Sequence, residues 1–295
     1  MTAGEQIALA VVTRDRPELL TRHLLPCLRE LLDDAVDVLV VDQSVGDRTA
    51  ELVQGLPGVR YMRGGPGLSR GRNDAVAATT APLILFTDDD VSFPPGWPLA
   101  VAEEFSSDPG VGAVCGRGRD AEGRLLPGRQ EGTYGFPEIP FALGSGFNFA
   151  FRRAALDAVG PFDDQFGARA QYRAAEDSDM LYRVLKAGWA VRCSDRITVV
   201  HHDWRGPEDR LRGFHDYGFG AGAQTIKHAR SGDRYAARLA AKEVGRHLVT
   251  ILRSLLLLRP AVAREQVAWL RGMGAGVRAW REVDSSPDAG GPGHA

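Results

Sequence analysis

Three aspartates in a row, Asp88, Asp89 and Asp90, sit inside the stretch "PLILFTDDDVSFPPGW". The apolar run before them has the composition of a buried strand, which delivers all three carboxylates to one point at its end. Neighbouring carboxylates disfavour one another's ionisation. A divalent cation relieves that repulsion. Hard oxygen ligands suit magnesium or manganese, and magnesium typically bridges to substrate phosphates. The ordinary alternative is a solvated turn with surplus charge, and the apolar strand before it argues against that. A second acidic set lies in "AAEDSDM", where Glu176, Asp177 and Asp179 enter a helix. A helix N-terminus tolerates carboxylates for structural reasons alone, which explains one of the three better than all of them. A carboxylate there has the chemistry of a general base. Two histidines, His201 and His202, follow a short apolar run in "VVHHDW", and strand alternation sends them to opposite faces.

These groups need a scaffold, and the chain supplies one by alternation. Residues 7–12 form a continuous apolar run, suited to a strand buried on both faces. In the next segment, "TRDRPELLTRHLLPCLRELL", Pro17 suits a helix start. Leu20, Leu24, Leu28 and Leu31 make one apolar stripe there, and Pro26 is predicted to kink the helix. Strand "VDVLVV" ends at Asp42, a short helix runs to Gln54, and "VRYM" is a third strand. A helix over about residues 69–80 then leads to the strand before Asp88. This rhythm predicts a parallel α/β sheet covered on both sides, with its ligand crevice at the carboxyl ends of the strands. Asp42 and the three aspartates fall there. Beyond residue 111 the pattern loosens, with helices at "FRRAALDAV" and "SDMLYRVLKAGW" and short strands around Val191 and Val199. From about Arg210 to Val283 the chain reads as helical. The tail over residues 284–295, mostly Gly, Pro, Ser and Asp, reads as disordered.

A chain of 295 residues, 44% hydrophobic and 25% charged, can bury a large core in one big domain or two modest ones. No charged and then apolar leader opens it, and "HLVTILRSLLLL" is interrupted by Arg253 and too short to span a bilayer. Cys27, Cys115 and Cys193 are scattered, without zinc or disulfide spacing. A cytoplasmic protein is the expectation. The net charge of −2 conceals an asymmetry, because residues 227–283 carry +8 and the remainder −10. There is no internal repeat and no Walker-type phosphate loop. Glycine-rich basic stretches lack interleaved aromatics, so nucleic acid is not an expected partner.

Six stretches occur in a telling order: "VVTRDRP", "VVDQSVGDRT", "GLSRGRNDAV", "FTDDDVS", "GSGFNFAFRRAALDAVGPFDD" and "AAEDSDMLYRVLKAGW". Together, over roughly residues 7–204, they resemble the family 2 glycosyltransferases, an inverting group with the nucleotide-sugar-binding GT-A fold. The resemblance implies an α/β fold with a mostly parallel GT-A sheet, helices on both faces and an added C-terminal helical segment. It implies a donor-binding half over residues 1–115, an acceptor-binding and catalytic half over 116–205, a basic helical segment over 206–283 and a tail over 284–295. The donor is then a nucleoside-diphosphate sugar, with UDP or dTDP favoured, the acceptor a hydroxyl, and the cofactor Mg2+ or Mn2+. By the same resemblance Thr13 and Arg14 form the nucleotide-contacting turn, and Arg72 and Asn73 lie beside the nucleotide. Asp42 accepts from a ring N–H of uracil or thymine, or else simply caps the segment after it. Asp88 contacts the ribose, while Asp90, with Asp88 or Asp89, holds the metal. Gly144, Ser145 and Asn148 lie near the donor sugar, and His201 or His202 near the metal or diphosphate. Asp177 is the implied base, with Glu176 as its neighbour and Asp179 as the second candidate.

Two rivals fit part of the pattern. Haloacid dehalogenase-like phosphatases place two aspartates one residue apart after a strand, but on the first strand of their fold. An inactive glycosyltransferase-like binding protein would not need both acidic sets. In the C-terminal segment, Arg238, Lys242, Arg246 and Arg253 share one helical stripe, opposite Val244, Leu248, Ile251 and Leu255. Either the apolar side packs on the body, or the segment lies on an anionic membrane beside a lipid-linked acceptor.

Overall fold

The computed structural model of the protein describes residues 7–31, 36–137, 143–203 and 205–284. The tail beyond residue 284 lies outside the described residues. Two compact units result, one within Met1–Asp164 and Glu176–Trp204, the other within Gln165–Ala175 and Arg205–Ala295.

The first unit is built on one sheet. Its strands are β1 (Ile7–Thr13), β2 (Val36–Asp42), β3 (Val59–Arg63), β4 (Leu83–Thr87), β5 (Val91–Ser92), β6 (Val111–Arg119), β7 (Gly132–Tyr134), β8 (Asn148–Arg152) and β9 (Ala190–His201). They lie in the order β3-β2-β1-β4-β8-β6-β9-β5, with β7 on β9. The first four are parallel, as the alternation predicts. β8 then runs antiparallel to both β4 and β6, and β9 parallel to β6, so the other half is mixed. Where two short strands were expected near Val191 and Val199, β9 is continuous. Its pairing with β6 jumps from Gly116–Ser194 to Arg117–Thr198, and residues 195–197 bulge between. That bulge breaks the alternation from which strands are read.

Helices cover both faces. They are α1 (Pro17–Leu19), α2 (Leu25–Leu31), α3 (Arg48–Gln54), α4 (Leu68–Ala77), α5 (Trp97–Ser106), α6 (Arg153–Val159) and α7 (Glu176–Lys186). Between α1 and α2 the segment Leu20–Leu24 is wound as a π-turn. Pro26 has no N–H to give to the carbonyl four residues back, and the predicted kink takes this wider form just before it. Odd residues of β1, Ile7, Leu9 and Val11, pack with Leu20, Leu24, Leu28 and Leu31 and with Val101 and Phe105 of α5. On the other face Ala10, Ile84 and Phe86 join Phe149, Phe151, Leu156 and Met180. Each fully buried leucine or phenylalanine contributes roughly 1.5–3 kcal/mol by leaving water. β1, β2 and β4 are therefore held on both sides, and their ends cannot drift. Register aligns Thr13 with Asp42 and Val11 with Thr87, so Thr13, Asp42 and Asp88 emerge along one carboxyl edge.

The second unit holds α8 (Pro207–Arg230), α9 (Arg234–Leu256) and α10 (Pro260–Asp284). The region that reads as helical is divided into three helices. Asp233 caps the start of α9 by accepting from the backbone N–H of Tyr235 at 2.9 Å, and Pro260 opens α10. Four glycines let α8 and α10 touch backbone to backbone. A Cβ on Gly218 or Gly222 would strike the carbonyl of Trp269 or Met273, and one on Gly272 or Gly276 that of His215 or Phe219. Gly245 of α9 has open space around it instead. Gly222→Ala should therefore lower the unfolding free energy by about 1–3 kcal/mol, as overpacking does. Gly245→Ala should raise it by up to about 1 kcal/mol through helix propensity. Urea melts of the two variants check the pair.

Candidate functional site

β4 ends in the acidic cluster. Asp89 and Asp90 are buried and Asp88 is half-buried. Asp89 accepts a hydrogen bond of 2.7 Å from the hydroxyl of Thr13, which closes β1. The Arg16 guanidinium lies 3.3 Å from Asp89 and 3.7 Å from Asp90. Burial pushes the Asp89 carboxyl up to about 7, against the pull of Arg16 and Thr13. The strand β5 then pairs antiparallel with β9, and Val91 stands opposite His201. This pairing sets the His201 imidazole 3.5 Å from Asp90. One ligand atom from each of Asp88, Asp90 and His201 lies within 4.8 Å of the others. Two carboxylates and an imidazole at that spacing can hold a divalent cation. His202 takes the opposite face, as alternation predicts. It bonds Ser92 at 2.7 Å and stacks on His23 at 3.8 Å, away from the cluster.

The second acidic set starts α7. Glu176 is buried and receives 2.9 Å from Nη1 of Arg72. Arg72 also donates to the Gly146 carbonyl at 3.1 Å, and its guanidinium sits 4.9 Å from the ring centre of Phe149. Asp177 is half-buried, with one oxygen taking the Gly146 N–H at 3.0 Å and the other the Ser178 N–H at 2.7 Å. Burial raises both carboxyls above the usual range; Asp177 adds to the effect on Glu176, and Arg72 opposes it. The loop that Asp177 grips leads straight to the metal-type cluster. Phe147, next to Gly146, packs its ring 4.7 Å from that of His201, and its carbonyl accepts from Thr87 at 3.0 Å. Asp179, the second candidate base, is fully buried and held by Arg183 at 2.9 Å, which removes it from the crevice.

At the end of β2, Asp42 is closed to solvent. It accepts from the Ser44 N–H at 2.8 Å, the Tyr61 hydroxyl at 2.9 Å and Arg63 at 3.2 Å. Burial and the adjoining Asp42 push the Tyr61 hydroxyl up to about 12. The carboxylate thus caps its own turn, with partly buried Tyr61 and exposed Arg63 beside it. Other residues expected near the donor make contacts within the protein. Asn73 clasps the backbone of Phe162, giving 2.8 Å to its carbonyl and taking 2.8 Å from its N–H. Asn148 donates to the carbonyls of Arg117 and Ile197, tying β8 to the bulge of β9. Gly144 packs so close to Cys115 that a Cβ would collide, and the Ser145 carbonyl accepts from Asn148 N–H. Arg14 pairs with Asp15 at 3.3 Å, and it is Arg16 that reaches the aspartates. Asp15, at φ 52°, turns the chain between them. The sequence reading missed Arg16, Tyr61 and Arg63. For the last two a signal existed, since Tyr61 and Arg63 alternate on a strand whose neighbour ends at Asp42.

A mixed α/β sheet with two acidic groups at its carboxyl edge and a helical addition is the architecture of GT-A transferases. The family model for Glycosyl transferase family 2 matches residues 9–160, just over half of the chain. The chain belongs to that family and is a glycosyltransferase. Among solved structures it is similar to a mannosyltransferase from Pyrobaculum calidifontis, in complex with GDP-Man and Mn2+. Identity there is 19%, over 91% of this chain and 88% of the other, with a TM-score of 0.60. It is also similar to residues 1–349 of S. aureus TarS in complex with UDP-GlcNAc, at 15% identity over 95% and 90% of the two chains and a TM-score of 0.59. Comparison with curated protein sequences gives no significant match.

The buried Glu176 carboxyl has a measurable signature. A carboxyl whose pKa is raised on folding keeps its proton where the unfolded chain has lost it. Its contribution to stability is full below the unfolded value of about 4 and is lost as pH rises toward the folded value. Glu176→Gln should therefore gain stability relative to the parent as pH rises from about 4.5 to about 8, because the parent alone loses the contribution of the protonated carboxyl over that range. A difference that stays flat across urea melts at the two pH values would show that Glu176 is not held protonated.

Proposed function

We propose that the protein transfers a sugar, with inversion at the anomeric carbon, from a nucleoside-diphosphate sugar to a hydroxyl acceptor. The observation that carries this reading is the grouping of Asp88, Asp90 and His201 beside a loop held by Asp177. Asp88, Asp90 and His201 would hold the divalent cation. Their carboxylates fit magnesium or manganese, and the imidazole tilts the set toward manganese. The cation supplies charge for the departing diphosphate. Arg16, half-exposed between Asp89 and Asp90, is the chain's own cation for the same phosphates. Thr13 and buried Asp89 position it. In this reading Asp88 also contacts the ribose of the donor. The solved complexes of similar proteins with GDP-Man and UDP-GlcNAc support a nucleotide-sugar donor.

Asp177 is the base in this reading. It is the one carboxylate of its set that is neither paired with arginine nor fully buried. Two backbone N–H bonds fix its orientation, leaving lone pairs for the acceptor hydroxyl. It takes that proton as the hydroxyl oxygen bonds to the anomeric carbon and the diphosphate leaves on the opposite face. Glu176 and Arg72 hold the Gly146 loop against it. Base recognition falls to Tyr61 and Arg63, ordered by Asp42, with a pyrimidine favoured. Residues 1–115 then serve the donor and 116–205 the acceptor. The enzyme works in the cytoplasm, with an acceptor that is a glycan, a lipid-linked sugar or a small molecule.

Asp88→Ala and Asp90→Ala should abolish transfer while the fold persists, and a chelator should abolish transfer by the parent. Undiminished transfer by both variants in chelator would sink the metal assignment. Asp177→Asn should keep donor affinity and lower kcat by at least about 10²-fold. If donor affinity collapses and kcat does not, Asp177 is a binding residue. Thermal shifts with UDP-, dTDP- and GDP-sugars in manganese identify the base, because a ligand of the folded state raises Tm. No shift with any of them, together with no turnover, would favour a binding protein of another ligand class.

A further inference from the structure

α9 is inside out over its second half. Its buried side chains there are polar: Glu243, His247 and Ser254. Glu243 pairs with Arg246 at 2.6 Å, and His247 bonds Gln266 at 2.7 Å while stacking on Trp269 of α10 at 3.8 Å. The apolar residues point outward instead. Leu248, Leu252 and Leu255, spaced i, i+4, i+7, form one exposed stripe beside Val249 and Leu256. The turn into α10 continues it with Leu257 and Leu258, and Leu258 is 88% exposed at φ 53°. Leu248 and Leu255, opposite the basic stripe in the sequence, are therefore exposed and not packed. A contiguous apolar surface of this kind marks a docking site.

Charge chooses the occupant. Lys242, Arg246, Arg253, Arg259 and Arg264 are exposed around the apolar tip. Over residues 241–264 Glu243 is the one acidic residue, and it is buried and paired. We propose that the tip of the α9–α10 hairpin is a docking surface for an anionic lipid bilayer. The leucines enter the boundary between headgroups and acyl chains, and the arginines meet the lipid phosphates. A second copy of the chain is a poorer fit, since pairing tip to tip would bring like-charged collars together. No helix among the described residues is long and apolar enough to cross a membrane, so the contact is peripheral. The inference concerns the second unit alone and stands independently of the reaction proposed above.

Cosedimentation with vesicles tests it. The full chain should bind phosphatidylglycerol–phosphatidylcholine vesicles at least about tenfold better than phosphatidylcholine alone, and about 1 M salt should release most of it. Leu252→Gln/Leu256→Gln/Leu258→Gln should lose the binding with its helical content and donor binding kept. Leu258→Gln alone, in the exposed turn, keeps the test open if the triple variant fails to fold, and should weaken binding measurably. Arg253→Gln/Arg259→Gln should lose the preference for anionic vesicles. The inference is overturned if the parent stays in the supernatant at low salt. It is overturned equally if the leucine variants sediment like the parent, or if light scattering shows that the same leucines hold a dimer that excludes lipid.

Discussion

The first unit depends on compensating negative charge where the strands end. Asp42, Asp89, Asp90, Glu176 and Asp179 are all buried, and an uncompensated buried carboxylate costs several kcal/mol. The chain meets that cost with an arginine for each group. Arg63 faces Asp42, Arg16 faces Asp89 and Asp90, Arg72 faces Glu176, and Arg183 faces Asp179. Arg63, Arg16 and Arg72 each reach a carboxylate on another segment, so satisfying those charges also fixes how the segments meet, whereas Arg183 and Asp179 pair within α7.

What could be read from residues alone follows from how local each signal is. The continuous apolar runs of β1, β2 and β4 announce buried parallel strands, and their last residues announce the crevice. Even the opposite fates of His201 and His202 follow from period-two alternation. Which of them faces the cluster does not, because it is decided by the pairing of β5 with β9, more than a hundred residues apart in sequence. The same holds for Arg14 and Arg16. A left-handed Asp15 between them decides which one reaches the aspartates, and nothing in "TRDRP" declares that turn.

Asn73, Asn148 and Asp42 teach a related point. All three match positions where the family resemblance implies ligand contact, and all three give hydrogen bonds to or take them from the protein itself; of Asn148 it is the amide nitrogen that is committed, while its buried Oδ1 has no partner. Asn73 holds Phe162, Asn148 holds the β9 bulge, and Asp42 holds Tyr61 and Arg63. A residue type at a motif position thus leaves open whether its polar atoms serve the fold, a ligand or both. The second unit shows the limit from the other side. The amphipathic stripe of α9 is legible by its spacing, but spacing alone cannot say which stripe faces solvent. That is decided by His247 and Glu243 finding Gln266, Trp269 and Arg246.

Exposure sorts the arginines by task. Arg72 is 2% exposed, enclosed by aromatic rings, and spends its donors on Glu176 and Gly146. A phosphate could reach it only by displacing the contacts that place Asp177. Arg16 and Arg63 are 35% and 39% exposed at the side chain, so each meets its carboxylate and solvent together, and Arg63 also gives to the carbonyls of Ser44 and Gly46 and to Asp47. The guanidinium fork has five donors in one plane, which lets one residue neutralise a buried acid and meet an anion on its open edge. Lysine, with a single point of charge, would do one or the other. In the reaction proposed above, the arginines at this edge would make structural compensation and recognition of a charged ligand the same interaction.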